Sequence, residues 1–228
     1  GQSAETLVGR ALDIALTEPK GPVYMTLPRE VLGGPSAGVP IKSRQPGTLP
    51  AAPSADAIGR AADAIAGAEY PLIIYHAMYN TPEAYAALSA LAADNAIAVC
   101  DHAGGSLSTS HPMNLGDIRG IPAAFLQQAD VVVVMGAGVP WVPSFSEPND
   151  DAFVINIASD PNYSGLPWRG FRSDLSIGGD PSLALPLLCE ALSGAARKNA
   201  GKIDARRKRI AESRMAMDEA RAKMLEDA

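Results

Sequence analysis

The stretch Ala129-Asp130-Val131-Val132-Val133-Val134-Met135-Gly136 decides the fold. Four consecutive valines lose side-chain freedom in a helix and pack well on a pleated surface, so they predict a strand. No polar residue alternates with them, which marks a strand covered on both faces, as in the middle of a parallel sheet. Working outward, Pro71-Leu-Ile-Ile-Tyr75 carries the same wholly apolar signature. Ala96 to Cys100, Phe153 to Ile157 and the shorter Leu175 to Ile177 read as further strands. The connections between them read as helices. Ser54 predicts an N-cap for a helix to about Ala68, with Ile58, Ala61, Ala62 and Ile65 on one face. Thr81-Pro82 opens an alanine-rich helix to about Ala93, and Asp180-Pro181 opens another to about Leu192. A shorter helix is expected around Ile121 to Gln128, after a loop from Asp101 to Asp117; Val139 to Asp151 is irregular. This alternation predicts an α/β fold: a doubly wound, mostly parallel, Rossmann-like sheet over residues 54–192.

The flanks read differently. An amphipathic helix is expected from about Ser3 to Thr17, and Val23 to Leu27 alternates like a strand that stops at Pro28. One helix and one strand cannot bury a core of their own. Residues 1–32 therefore read as a helix-strand stub closing a domain that lies mostly elsewhere, and 33–53, rich in Pro and Gly, as an extended linker. At the other end, 193–228 is expected to form a long linker helix from about Lys202 to Glu226. Its Ile203, Ile210, Met217 and Met224 recur every seven residues, with Arg207, Arg214 and Arg221 between them. Such a narrow apolar seam suits docking on one neighbour, expected outside this stretch of chain.

Composition narrows the function classes. Hydrophobic residues make up 47% and charged residues 19% of the 228, which excludes a disordered chain. No apolar run approaches the ~20 residues that span a bilayer, and no basic-then-apolar start marks a secretory leader, so a soluble cytoplasmic protein is expected. Cys100 and Cys189 sit near apolar runs and read as buried free thiols. Residues 197–228 carry ten Lys/Arg against six Asp/Glu, while the remainder carries nine against nineteen. The basic charges are mixed with acidic ones at helical spacing and lack interleaved aromatics, so a solvated helix face is expected and nucleic acid is not.

Taken in order, Gly21-Pro-Val-Tyr-Met-Thr-Leu-Pro-Arg-Glu-Val31, the linker after it, His111-Pro-Met-Asn-Leu-Gly116, Ala129 to Gly136, Ile157-Ala-Ser-Asp-Pro161 and Gly179-Asp180 resemble the thiamine diphosphate-dependent enzymes of the acetolactate synthase and benzoylformate decarboxylase type. The resemblance implies that 1–32 ends a pyrimidine-binding domain, 54–192 is the central domain, and 193–228 leads toward a diphosphate-binding domain. The parent would be a 2-oxo acid decarboxylase or carboligase. Thiamine diphosphate would carry its hard chemical step, Mg²⁺ would hold the diphosphate, and homodimers or tetramers would build the sites. The catalytic glutamate and the Gly-Asp-Gly…Asn metal motif of that family are not among these residues, so the chain is expected to be inactive alone. Gly178-Gly-Asp-Pro181 lacks the glycine after aspartate, and Asp180 reads as a helix cap instead.

The resemblance also raises a nucleotide, because in some relatives the central domain holds FAD or ADP. Open α/β sheets bind ligands at the carboxyl ends of their strands. There the sequence offers Gly136 and Gly138, flanking a turn, and Asp160, a carboxylate suited to ribose hydroxyls. After the first strand, however, His76-Ala-Met-Tyr-Asn80 contains no glycine for a phosphate to approach, which argues against FAD. Trp141 either faces the family's active-site region or covers the sheet edge. His76, His102 and His111 lie far apart in sequence, without metal-ligand spacing; His102, at a strand end, is the one with a candidate site role. The loop Gly104 to Ser110 offers amides and hydroxyls to an anion. The competing reading is a standalone FAD-, ADP- or NAD-binding module.

Overall fold

The computed structural model describes residues 4–35, 47–102, 104–120, 123–194 and 199–226. In chain order the helices are α1 (Ala4–Leu16), α2 (Arg29–Leu32), α3 (Ala55–Gly67), α4 (Pro82–Asn95), α5 (Ala123–Gln128), α6 (Pro181–Ser193) and α7 (Ala200–Glu226). The strands are β1 (Pro71–His76), β2 (Ala98–His102), β3 (Asn114–Asp117), β4 (Val131–Met135), β5 (Phe153–Ala158) and β6 (Leu175–Gly178). They form one six-stranded sheet in the order β3-β2-β1-β4-β5-β6, parallel throughout. The sheet is doubly wound, as expected, and the valine strand β4 lies beside β1 at its centre with every residue buried.

The caps are those the sequence announces. Ser54 accepts from the Ala57 amide, Thr81 from Ala84 and Asp180 from Ser182, each satisfying a donor that the helix start leaves free. Ile58, Ala61, Ala62 and Ile65 of α3 are all buried. Pro186 lies inside α6 on its exposed side.

Four expectations change. First, residues 20–28 form no strand: a strand exists through ladder bonds to a neighbour, and no described residue supplies one. Second, α4 runs on to Asn95 and closes with Ala96 in the left-handed conformation, φ +47°, so β2 begins at Ala98 and includes Asp101 and His102. Third, the expected loop contains β3, whose Asn-Leu-Gly-Asp sequence carries no strand signal. Only its ladder to β2 creates it, with Val99 donating to Met113 and Ile118 to Asp101, each at 2.9 Å. Fourth, the neighbour of α7 is the sheet domain itself. Ile203 and Ile210 are buried in the common core and Met217 packs against it; the side chains of Arg221 and Met224 lie outside the described residues.

The chain divides into two units, 1–50 and 51–228. In the first, Asp13 of α1 accepts from the Gly47 amide at 3.2 Å, and no side chain of α1 is buried. The second holds the sheet, α3 to α7 and the hydrophobic core.

Candidate functional site

In a doubly wound sheet the carboxyl ends of the two central strands face the crevice where strand order reverses. Here those ends are His76 of β1 and Met135 of β4, followed by Gly136. Gly136 has φ +72°, and a Cβ placed on it would meet the Tyr79 ring at 2.1 Å. Tyr79 belongs to a single 3₁₀ turn, Ala77–Tyr79, that follows β1 directly. A Cβ on Gly138 would lie 3.3 Å from the ring of Tyr163, and the Arg169 guanidinium lies over that ring, 4.5 Å from its centre. Arg169 also donates to the Gly138 carbonyl at 3.3 Å.

Asp160 stands just past β5. Its carboxylate accepts from the Ser164 amide at 2.6 Å and the Ser164 hydroxyl at 2.7 Å. Those bonds hold its carboxyl below the usual range, with the Ser164 hydroxyl the largest cause. Gly136, Gly138 and Asp160 thus share the carboxyl edge of the sheet, but each is engaged by its own neighbours. The buried Ser159 and Tyr163 hydroxyls find no protein partner there.

The histidines are closer than their sequence separation suggests. His76 and His102 end adjacent strands in register, with ring centres 4.9 Å apart. Nδ1 of His76 accepts from the Met78 amide at 3.1 Å, and burial, followed by the neighbouring His102, holds its pKa below the ordinary value. His111 lies in the next loop, where Nδ1 accepts from Met113 at 3.2 Å and burial likewise lowers its pKa. Trp141 is buried edge-on against Phe171, ring centres 5.4 Å apart, and so covers the sheet instead of facing solvent. Cys100 and Cys189 are free, and burial raises both thiols.

The loop Gly104 to Ser110 walls a cavity of about 610 Å³ with β3 and the outer half of α7. Several of its polar groups are engaged: Asp117 pairs with Arg119 at 2.7 Å, Asp101 accepts from Ser106 at 2.9 Å, and Arg214 donates to the Thr109 and His111 carbonyls.

Thiamine diphosphate chemistry needs a metal site and an activating carboxylate, and the described residues do not fit that need. Among the described residues no group of three or more His, Cys, Asp or Glu could hold a metal ion. Asp180, the nearest sequence match to a metal motif, spends its carboxylate on the Ser182 amide at 2.7 Å.

Residues 58–188 match the family model described as the thiamine pyrophosphate enzyme, central domain. The chain belongs to that family. Similar solved structures include a benzoylformate decarboxylase from Polynucleobacter necessarius, 22% identical with a TM-score of 0.64 over 81% of this chain. A putative thiamin diphosphate-dependent enzyme from Mycobacterium smegmatis is 26% identical, TM-score 0.65 over 82% of this chain. A thiamine diphosphate-dependent 4-hydroxybenzoylformate decarboxylase from Rhodococcus jostii RHA1 is 20% identical, TM-score 0.62 over 80%. This chain covers 35%, 36% and 36% of their lengths, respectively. The family match favours the central-domain reading over a standalone nucleotide module. No described helix is long and apolar enough to cross a membrane.

Two features of this central domain escape the sequence reading. Arg206 of α7 is 3% exposed and donates to the carbonyls of Ile65, Ala66, Ala68 and Asn95. Its spacing from Ile203 and Ile210 puts it on the apolar seam, and that is the signal that marks it. Tyr79 over Gly136 has no comparable sequence signal, because it joins two loops across the sheet.

Proposed function

We propose that this chain is the spacing domain of a thiamine diphosphate-dependent enzyme acting on 2-oxo acids, and that it does not turn over substrate by itself. The match of residues 58–188 to the central-domain family carries this reading. Two of the similar structures are named as decarboxylases of benzoylformate and 4-hydroxybenzoylformate, which favours decarboxylation of a 2-oxo acid over other thiamine chemistry.

In this reading residues 1–32 end a pyrimidine-binding domain, 33–53 link it to the sheet, and 193–228 lead toward a diphosphate-binding domain. Leu7, Val8, Leu12, Ile14 and Leu16 of α1 are each 41–49% exposed, more apolar surface than a helix with a covered face leaves. That surface supports contact with further domain structure. The diphosphate, Mg²⁺ and the activating carboxylate would be held by those other domains, in a homodimer or tetramer. The central domain holds them at a fixed separation, a role that needs a rigid core and no reactive group.

The test is a carbon dioxide release assay with thiamine diphosphate, Mg²⁺ and benzoylformate or pyruvate. The 228-residue chain is expected to give the no-enzyme rate, and the longer polypeptide that contains it to release carbon dioxide. Turnover by the 228 residues alone would refute the spacing role, and a full-length protein inert on every 2-oxo acid offered would refute the reaction class.

A further inference from the structure

A dinucleotide at the switch point of a doubly wound sheet makes three demands. Its pyrophosphate needs a glycine against which the backbone can approach, free amides at a helix start, and the positive end of that helix. In this chain each demand is already met by a protein group. The face of Gly136 is covered by Tyr79, so close that even a methyl group would meet the ring at 2.1 Å. The start of α4 is capped by the Thr81 hydroxyl, 3.1 Å from the Ala84 amide, and Pro82 in its first turn has no amide to give. Glu83, exposed in that same turn, sets a carboxylate at the end of the helix where a phosphate would need to sit. On the other side of the crevice the Tyr163 ring lies against Gly138, held by Arg169, and β4 leads into Val139-Pro140-Trp141 with no helix start at all. Asp160, the candidate for ribose, is bound to Ser164.

We infer that Tyr79 and Tyr163 are built-in plugs, closing the crevice over Gly136 and Gly138 so that this domain holds neither FAD nor ADP. The tyrosines take over the part of a bound cofactor, Tyr79 filling the space between the β1 and β4 loops and Tyr163 that between the β4 and β5 loops. A tyrosine ring offers apolar area of the size needed to dry such a cleft. Glycine at 136 then has two reasons, its positive φ and the nearness of the ring, since only a residue without Cβ lets the ring lie this close. This inference does not depend on the reaction proposed above, because it concerns only the crevice of the central domain.

Nuclear magnetic resonance of the isotope-labelled 228-residue chain tests it on two readouts. The Tyr79 ring is expected to displace the Gly136 Hα resonances through its ring current, and Tyr79→Ala to abolish that displacement while the rest of the spectrum stays dispersed. Addition of ADP, and separately of FAD, to about 1 mM is expected to leave the Gly136, Gly138 and Ser164 amides of the wild type unmoved. A saturable movement of those amides would overturn the inference, and so would an unshifted Gly136 in the wild type. The thiamine assay plays no part in either readout, so the two proposals fail separately.

Discussion

The guanidinium of Arg206 donates to the main-chain carbonyl of Ile65 at 3.0 Å, and through that bond the last helix is fastened to the first helix of the sheet domain. The same side chain reaches Asn95 at 3.1 Å, at the end of α4. Helix ends leave their last carbonyls without internal partners and carry partial negative charge, so one cation here serves two helices at once. Burial lowers the Arg206 pKa, with Asp130 and Glu69 opposing, yet an arginine remains charged. Its compensation comes from carbonyl dipoles, not from a contacting carboxylate.

Arg206→Met keeps the apolar stem and removes the donors, leaving the α3 and α4 carbonyls bare. The expected loss is about 1.5–3 kcal/mol, the range for hydrogen bonds to a charged group. Arg206→Lys, with a single point of donation, should fall between it and wild type. Urea denaturation measures both, and a loss under about 0.5 kcal/mol for Arg206→Met would show that α7 is held by Ile203 and Ile210 alone.

Gly136 and Gly104 separate backbone strain from crowding. Both have positive φ, +72° and +79°, but only at Gly136 is there an atom in the way of a Cβ. Gly104→Ala should cost about 1 kcal/mol for its backbone, and Gly136→Ala about 2–4 kcal/mol because the Tyr79 ring must also move. Tyr79→Ala in the Gly136→Ala background should recover part of the difference. Additive losses in thermal melts would count against that contact.

Acid should weaken the domain before its carboxylates titrate. His76 and His111 have pKa values lowered by burial, His76 further by His102 and His111 further by Arg214. The unfolded chain, with histidines near ~6.5, therefore binds protons that the folded chain refuses. Their contribution is fully present above that value and falls as pH drops through it toward the folded values. Asp117 and Asp160, held low mainly by Arg119 and Ser164, add losses only at more acid pH. Urea midpoints at about pH 7.5 and pH 5.5 should fall toward acid, and less so in the His76→Gln, His111→Gln double variant. Equal slopes would assign the effect elsewhere.

Pro186 sits inside α6 on its exposed face, where it has no amide to give to the helix. Pro186→Ala restores a helix bond, offset in part by a more flexible unfolded chain, and should stabilise by about 1–2 kcal/mol. A lower melting temperature for this variant would mean that the proline packs usefully where it stands.

The central strands, the capped helices and the doubly wound class were legible in residues such as Val131 to Met135, Ser54, Thr81 and Asp180. Each acts on groups within a few residues of itself, so local propensity and spacing suffice to read it. The same reasoning failed at both edges of that range. Val23 to Leu27 has strand periodicity but no described ladder partner, while Asn114 to Asp117 has no periodicity but pairs with β2. For a strand, the hydrogen bonds belong to the neighbour.

The sequence by itself therefore determined the fold class, the sheet's central strands and the absence of the family's metal motif from these residues. Tertiary structure alone decided that His76 meets His102, that α7 folds back through Arg206, and that Tyr79 lies on Gly136. Those contacts join residues tens of positions apart. Their energy comes from groups brought together only when the sheet sets the register of its strands and the ends of its helices, and no local pattern in the chain encodes that proximity.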